Sequence, residues 1–220
     1  MSKPIIIADL AYKGSIRKGR GTGRQGLRAT LKYLQYRDKK NNHLAQSHDY
    51  ERWQDRGMGL SHGDIFRHCD TLQSKHVLAW TWLISPAPDL MELVPAGQRR
   101  ELLYQLTERI VEDYYTERGF DVPEYSYLMH SARTKGKNGE APQEHLHTHI
   151  ILPGTAPSTA DRLPVYNNSR QGHDRLFREV AARHFAETLD ERGIDWRPLR
   201  EEPKPEVERD DGMDLDRFFS

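Results

Sequence analysis

The sequence contains a single cysteine, Cys69, among its 220 residues. One cysteine excludes an intrachain disulfide framework and a zinc site built on thiolates, and it favours a reducing compartment, so we expect a cytoplasmic protein. No apolar run approaches the roughly 18 residues that a membrane-spanning helix needs. Hydrophobic residues make up only 36% of the chain, but long stretches have regular apolar spacing, so we expect a globular core with polar loops.

The formal net charge is zero, and this balance hides a gradient along the chain. Residues 1–40 carry 11 Lys/Arg against two Asp, a net charge of +9, whereas residues 201–220 carry three against eight Asp/Glu, a net charge of −5. This asymmetry predicts a nucleic-acid-facing N-terminal part. We expect one domain over residues 1–198, followed by an acidic tail over residues 199–220 that is either disordered or a linker to further sequence.

Residues 13–26 are rich in glycine and basic side chains but do not form a P-loop, because no Gly-Lys-Ser/Thr follows at the required spacing. A cationic loop lying along a phosphate backbone fits this composition, since Lys and Arg contacts to phosphate do not depend on base sequence. A merely disordered loop fits it equally well.

The most informative stretch is Glu144–Gly154, in which His145, His147 and His149 alternate with Leu, Thr and Ile. On a β-strand this spacing puts all three imidazoles on one face, whereas on a helix they would be dispersed. Imidazole is the commonest metal ligand and titrates near neutrality. The stretch therefore predicts a metal site or a general acid/base array; the alternative is a polar strand face with solvated histidines.

Apolar periodicity predicts the remaining elements. Strands are expected over residues 4–10, 76–86 and 125–132, and helices over residues 24–40, 61–73 (capped by Ser61), 97–118 and 172–192. Residues 41–60 are predicted to be irregular, with Trp53 as an anchor. The order of elements favours an α+β fold, an antiparallel sheet with helices packed mainly on one face.

The strand over residues 125–132 is expected to pair with the histidine strand as a hairpin, since Asn138-Gly139 between them is a natural turning point. This pairing can place His130 beside His147 and His149. Three neutral imidazoles would leave coordination positions open, as in catalytic metal sites. A cation held there could polarise a phosphoryl oxygen during an in-line displacement.

A displacement also needs a nucleophile, and Tyr33 is our candidate. In the helix over residues 24–40, Leu27, Leu31 and Leu34 form the inner stripe, which leaves Tyr33 on the flank and Tyr36 about opposite, facing solvent. A tyrosine hydroxyl with a pKa near 10 needs help from a base or a metal. His145 is available as that base or as an orienting group, and Ser85 could hold a phosphate.

Three blocks of the sequence, in this order, resemble those of relaxases, the plasmid mobilisation nucleases of the HUH endonuclease superfamily, and specifically MobP-like relaxase domains. Leu31–Asp38 is similar to the block that carries the catalytic tyrosine, at the place of Tyr33. Leu83–Pro86 is similar to the middle block with its DNA-contacting serine. His130 and Glu144–His149 are similar to the three-histidine metal block.

The resemblance implies strand-specific nicking and rejoining of a plasmid transfer origin through a 5′-phosphotyrosine link at Tyr33. It implies a divalent metal held by His130, His147 and His149, either Mg²⁺ or Mn²⁺ first, with Zn²⁺ or Ni²⁺ as alternatives. Expected partners are single-stranded origin DNA, accessory relaxosome proteins and a coupling protein; we expect a monomer without membrane insertion. The residues expected to contact DNA are Arg17, Lys18, Arg20, Arg24, Lys32, Arg37 and Ser85.

The sequence departs from the family pattern at Ala132, where relaxases of this type usually have an acidic residue two positions after the first histidine. We expect Glu144 to take over that acidic role.

Three other functions fit parts of the sequence. A histidine-triad nucleotide hydrolase or transferase would use His147 as its nucleophile without a metal. An HUH replication initiator or transposase would place its tyrosine after the histidines, where Tyr166 is the candidate. A non-catalytic DNA-binding module would need only the basic N-terminal part.

Overall fold

A computed structural model describes residues 3–15, 23–41, 53–134, 143–156, 163–164, 167 and 169–200. The strands are β1 (Ile6–Gly14), β2 (Gln54–Arg56), β3 (Val77–Pro86), β4 (Tyr125–Thr134), β5 (Gln143–Pro153), β6 (Thr155–Ala156) and β7 (Leu163–Pro164). The helices are α1 (Arg24–Asn41), α2 (His62–Thr71), α3 (Pro88–Met91), α4 (Arg99–Thr116) and α5 (His173–Glu191). None of the helices in these ranges is long and apolar enough to cross a bilayer.

Five strands form one sheet in the order β1-β3-β5-β4-β2, and every neighbouring pair is antiparallel. The histidine strand β5 is therefore central, with β3 and β4 on either side. The short strands β6 and β7 pair separately. The predicted α+β class with an antiparallel sheet is confirmed.

The β4–β5 pairing confirms the predicted hairpin and fixes the register of the histidines. His130 lies opposite His147, Ala132 opposite His145, and Leu128 opposite His149. Directly opposed residues of an antiparallel pair project from the same face, so His130 joins the alternating histidines of β5. The predicted turning point at Asn138-Gly139 lies outside the described residues.

The face opposite the histidines packs on α4 and α5. Trp82 of β3 contacts the rings of Tyr114 on α4 and Phe177 on α5, with ring centroids 5.4 and 5.0 Å apart. Thr148, which alternates with the histidines, shares a 3.0 Å hydrogen bond with Thr107 of α4. This aromatic core anchors the back of β5, while α1 and α2 lie on its histidine face, so the helices cover both faces of the sheet and not mainly one as expected.

Helix α1 matches the predicted 24–40 helix, and its inner stripe Leu27, Leu31 and Leu34 is buried at 0, 0 and 5% exposure. Helix α2 begins after Ser61, whose Oγ accepts a hydrogen bond from the Asp64 amide and so satisfies a donor of the first turn. Leu34 contacts His130 through its backbone, which places α1 against the histidine face.

Strand β5 ends at Pro153, within the stretch Glu144–Gly154 from which the sequence predicts a strand. Gly154 ends β5 where the backbone of β3 comes close, since a Cβ there would lie 2.0 Å from the Val77 carbonyl oxygen. The predicted irregular stretch 41–60 contains β2, which was not predicted, while Trp53 is 1% exposed, as expected of an anchor. Helix α3 and the β6–β7 pair were not predicted either.

The C-terminal end of the described chain folds onto the domain. After α5, a 3₁₀ turn over Arg197–Leu199 leads to Arg200, whose two terminal nitrogens each donate to a carboxylate oxygen of Asp89 at 2.8 Å. Arg200 is buried, and the pairing holds the pKa of Asp89 below its usual value. Contacts with the domain therefore continue as far as Arg200, and residues 201–220 lie outside the described part.

Candidate metal centre

Three histidines from two adjacent strands converge on the α1 side of the sheet. One ring nitrogen from each of His130, His147 and His149 lies within 4.8 Å of the others. The ring centroids are 5.6 Å apart for His130 and His147, and 5.1 Å apart for each of the pairs that include His149. The structure thus brings together the three residues that the sequence predicts as metal ligands.

The donor set fits a transition metal. Three nitrogens that each lie about 2.1 Å from one tetrahedral cation are about 3.4 Å apart, so the imidazole nitrogens need to close by up to about 1.4 Å. Among the described residues no carboxylate belongs to this group. Imidazole suits zinc, copper, iron and nickel, whereas Mg²⁺ prefers oxygen ligands. The observed set therefore favours the nitrogen-binding metals over Mg²⁺.

A backbone carbonyl of α1 orients His130. The Nε2 of His130 lies 2.7 Å from the Leu34 carbonyl oxygen, which can only accept a hydrogen bond. Nε2 therefore carries the proton, and the lone pair is on Nδ1. Metal-binding histidines commonly donate their second ring nitrogen to a carbonyl or carboxylate in this way. His147 is held similarly but more weakly, with its Nδ1 3.3 Å from the His145 carbonyl oxygen.

The predicted acidic role of Glu144 is wrong. Glu144 is one residue from His145, so it projects from the opposite face of β5. There it accepts a 2.8 Å hydrogen bond from Ser131 Oγ. The Leu34 carbonyl instead occupies the position of an oxygen partner for His130. Sequence patterns did not indicate this contact, because a backbone oxygen leaves no signature in the side chains.

His145 and Ser85 form a pair beside the cluster. Ser85 Oγ lies 2.7 Å from His145 Nε2, and the serine is 4% exposed. Burial lowers the pKa of His145, which favours the neutral imidazole. His145 lies outside the group of three converging nitrogens. The hydroxyl that the sequence assigned to DNA contact is thus directed to a histidine in this structure.

The two tyrosines of α1 differ in their surroundings. Tyr33 is 58% exposed, directly preceding the residue whose carbonyl contacts His130, while Tyr36 is 38% exposed. Both tyrosines are thus exposed, as the sequence predicts for Tyr36, and the ring of Tyr36 meets that of His62 edge-on at 5.7 Å. The apolar periodicity of α1 describes that helix by itself, so it could not show that His62 of α2 lies beside Tyr36.

A polar cluster that the sequence did not reveal fixes this end of α1 to α2. Gln35 Oε1 accepts hydrogen bonds from the His62 amide at 2.7 Å and from Trp53 Nε1 at 3.3 Å, and it lies 2.9 Å from His62 Nδ1. The amide of Gln35 donates to the Tyr36 hydroxyl at 3.3 Å. This network sets the position of the turn that carries both tyrosines.

The predicted DNA-contacting residues are only partly described. Arg24 forms an ion pair with Asp70 of α2, and Lys32 is exposed on α1. The residues Arg17, Lys18 and Arg20, the side chain of Arg37, and the alternative nucleophile Tyr166 lie outside the described part.

No protein-family model matches this sequence, and no curated protein matches it. Among solved structures, the chain is similar to the conjugative relaxase TrwC in complex with oriT DNA, in a metal-bound structure, with a TM-score of 0.53 and 15% identity over 85% of this chain and 71% of that one. A copper-bound structure of TrwC with oriT DNA gives a TM-score of 0.49 with the same identity and coverage. At this identity the first likeness shows that the chain has a relaxase-like fold.

Proposed function

We propose that the chain is a metal-dependent nuclease of the relaxase type, which nicks and rejoins one strand of DNA at a plasmid transfer origin. The observation that carries the proposal is the hydrogen bond between Leu34 and His130. It joins the helix that bears Tyr33 to the three-histidine cluster. The relaxase-like fold and the DNA bound to the similar TrwC structure support the choice of substrate.

In the proposed reaction, Tyr33 attacks a DNA phosphorus atom. A bond forms between the tyrosine oxygen and phosphorus, and the bond from phosphorus to the 3′-oxygen of the preceding nucleotide breaks. The tyrosine proton leaves, and the departing 3′-oxygen takes up a proton to become a hydroxyl. One phosphodiester is exchanged for another, so no external energy source is needed, and the reverse reaction rejoins the strand.

Three groups of this chain would support that step. His130, His147 and His149 would hold a divalent cation, which polarises the phosphoryl oxygens when it is bound. His145 is the proposed acceptor of the tyrosine proton, since burial favours the neutral form of its imidazole, which can take up a proton. Ser85 fixes the ring of His145 through the 2.7 Å contact.

The finer assignments come from the sequence resemblance and are part of the proposal. These are the MobP-like subgroup, the plasmid origin as target, accessory relaxosome and coupling proteins as partners, and a cytoplasmic location. The histidine-triad alternative needs only residues 145–149, so it gives no role to His130, which converges on the same point from β4. The relaxase proposal uses all three histidines.

The test is a search for a covalent adduct. The protein is incubated with Mn²⁺ and a pool of single-stranded oligonucleotides with a randomised core, and then analysed on a denaturing gel. The proposal expects a denaturant-resistant protein–DNA band that is absent with EDTA. Nucleotide hydrolysis that persists in EDTA and requires His147, with no adduct, would overturn it in favour of the histidine-triad reaction.

A further inference from the structure

The seam between α1 and α2 carries a row of basic side chains that leads to the tyrosines. Arg24, Arg28 and Lys32 follow one another at intervals of four residues, so they lie on one side of α1 about 6 Å apart along its axis. All three are exposed. The next position in the row is Tyr36, and Tyr33 lies one position beyond Lys32 along the chain.

Arg28 is held in place by an aromatic ring. Its guanidinium carbon lies 4.2 Å from the centre of the Phe66 ring, and Phe66 itself is only 5% exposed. A guanidinium stacked on a ring keeps its N–H groups at the edge of the plane, where they remain available to an oxyanion. The stacking also reduces the conformational freedom that binding would otherwise remove.

The charges of this row are not neutralised uniformly. Arg24 is paired with Asp70, and Arg67, which lies on α2 outside the row, is paired with Asp64. Within the described part of the chain, by contrast, no carboxylate forms an ion pair with Arg28 or Lys32. Helix α1 also lacks an acidic residue in its first turn. Cations near a helix N-terminus lower the stability of the helix. These basic side chains therefore do not stabilise α1, but they are suited to binding an anionic ligand.

We propose that Arg28 and Lys32 bind consecutive phosphates of the DNA strand that enters the site, with the α1–α2 seam as its track to Tyr33. The inference rests on the proposed function and adds Arg28, which no sequence motif singled out, as a positioning residue. The occupant is a single strand of DNA, because the row ends at the turn bearing the proposed nucleophile. The contacts are to phosphate, so they do not read base sequence.

The experiment measures binding separately from the reaction. Affinity for a fluorescent single-stranded DNA oligonucleotide of mixed sequence is determined by anisotropy at several salt concentrations, in a Tyr33→Phe background that cannot form an adduct. The logarithm of the affinity falls linearly with the logarithm of the salt concentration, and each lost phosphate contact reduces the steepness of this fall by about 0.7 for single strands. Arg28→Ala is therefore expected to lower it by about 0.7, and the Arg28→Ala/Lys32→Ala pair by about 1.4.

The matched control is Arg175→Ala on α5, an exposed arginine on a helix that packs on the opposite face of the sheet; among the described residues it pairs only with Glu179, at 3.4 Å. It should leave the slope unchanged. Arg28→Lys keeps the charge without the planar stack and is expected to retain the slope while weakening binding. The proposed DNA track would be overturned if Arg28→Ala and Lys32→Ala change the salt slope no more than Arg175→Ala does. It would also be overturned if polyglutamate competes for binding as strongly as DNA.

The adduct assay separates this inference from the proposed function. If wild-type protein forms no adduct but Arg28→Ala reduces the salt slope, the track stands and the nuclease proposal fails. If adducts form with Arg28→Ala as readily as with wild-type protein and the slope is unchanged, the nuclease proposal stands and the track fails. Melting temperatures near that of the wild type show that the variants are folded.

Discussion

His130 and Leu34, which are 96 residues apart in the sequence, are joined by a 2.7 Å hydrogen bond from imidazole to backbone carbonyl. The bond does two things at once. It fixes the tautomer of a proposed metal ligand, and it holds α1 against the histidine face of the sheet. Because Tyr33 directly precedes Leu34, any motion of this turn would change the relation between the tyrosine and the three imidazoles.

The first prediction concerns metal affinity. His147→Ala removes one of three ligands and is expected to lower the affinity for Mn²⁺ or Ni²⁺ by about 100-fold or more, beyond the 10–100-fold typical of losing an outer hydrogen-bond partner. Isothermal titration calorimetry measures it. His145→Ala is the matched control on the same strand face and should bind metal almost normally. Undiminished affinity in His147→Ala would remove it from the ligand set.

The same titration tests the choice of metal. Three imidazoles without a carboxylate should bind Mg²⁺ weakly, Mn²⁺ more tightly and Ni²⁺ more tightly still, following the usual order for nitrogen sites. The sequence-based expectation placed Mg²⁺ first together with Mn²⁺. Tight Mg²⁺ binding would show that oxygen ligands complete the site and would contradict the all-imidazole set.

A second prediction concerns the pH dependence of stability. Burial lowers the pKa of His145 below its ordinary value of 6.5, so the unfolded chain binds this proton more readily than the folded one. Stability therefore rises with pH through this region, and is lost as the pH falls through 6.5. The free energy of unfolding is measured by urea denaturation in EDTA at pH 7.5 and 5.5, about the range of this titration. Between these pH values His145→Gln should lose less of it than the wild type.

The control for that measurement is His76→Gln. It changes an exposed histidine directly before β3, at the end of that strand opposite to Ser85. It should leave the pH dependence as it is in the wild type. If His145→Gln and His76→Gln have the same pH dependence, burial of His145 does not contribute to stability in the way described.

A third prediction concerns the end of the domain. Asp89→Ala leaves the buried guanidinium of Arg200 without its partner, and the expected loss is about 1–3 kcal/mol, less than for a fully buried pair because the carboxylate is partly exposed. For a domain of this size that lowers the melting temperature by about 3–10 °C. Calorimetry measures it.

Glu179→Ala breaks an exposed pair with Arg175 on α5 and serves as the control, with an expected loss of about 0.5 kcal/mol or less. Truncation after residue 196 should destabilise the domain as Asp89→Ala does, whereas truncation after residue 200 should not. Equal stability of the two truncated chains would place the boundary before Arg197.

The histidine hairpin could be predicted from sequence because its information is local. Alternation of His145, His147 and His149 fixes a strand face, and the turn signal at Asn138-Gly139 predicts the pairing that brings in His130. The same alternation should have excluded Glu144, since adjacent residues of a strand face opposite sides. Glu144 was assigned the acidic role because it lies next to His145 in the sequence, although the alternation of side chains along the strand already places it on the other face.

The remaining features of the site depend on contacts between distant elements. Nothing in residues 24–40 shows that α2 lies beside them, so the pairing of Gln35 with His62 and the contact of Tyr36 with His62 were not predictable. Strand β2 was missed because Gln54-Asp55-Arg56 has no apolar residue; it forms by pairing with β4 at the sheet edge. The contact of Leu34 with His130 uses a backbone carbonyl, a group that every residue has, so no sequence pattern indicates it.

The central claim is that Tyr33 is the nucleophile, and mapping the linkage residue tests it most directly. The covalent adduct is digested with nuclease and protease, and the peptide that retains a nucleotide is identified by mass spectrometry. The account predicts a nucleotide on Tyr33 and no adduct from Tyr33→Phe, while Tyr36→Phe still forms one. A nucleotide on Tyr36, Tyr166 or a histidine, with Tyr33→Phe fully active, would contradict it.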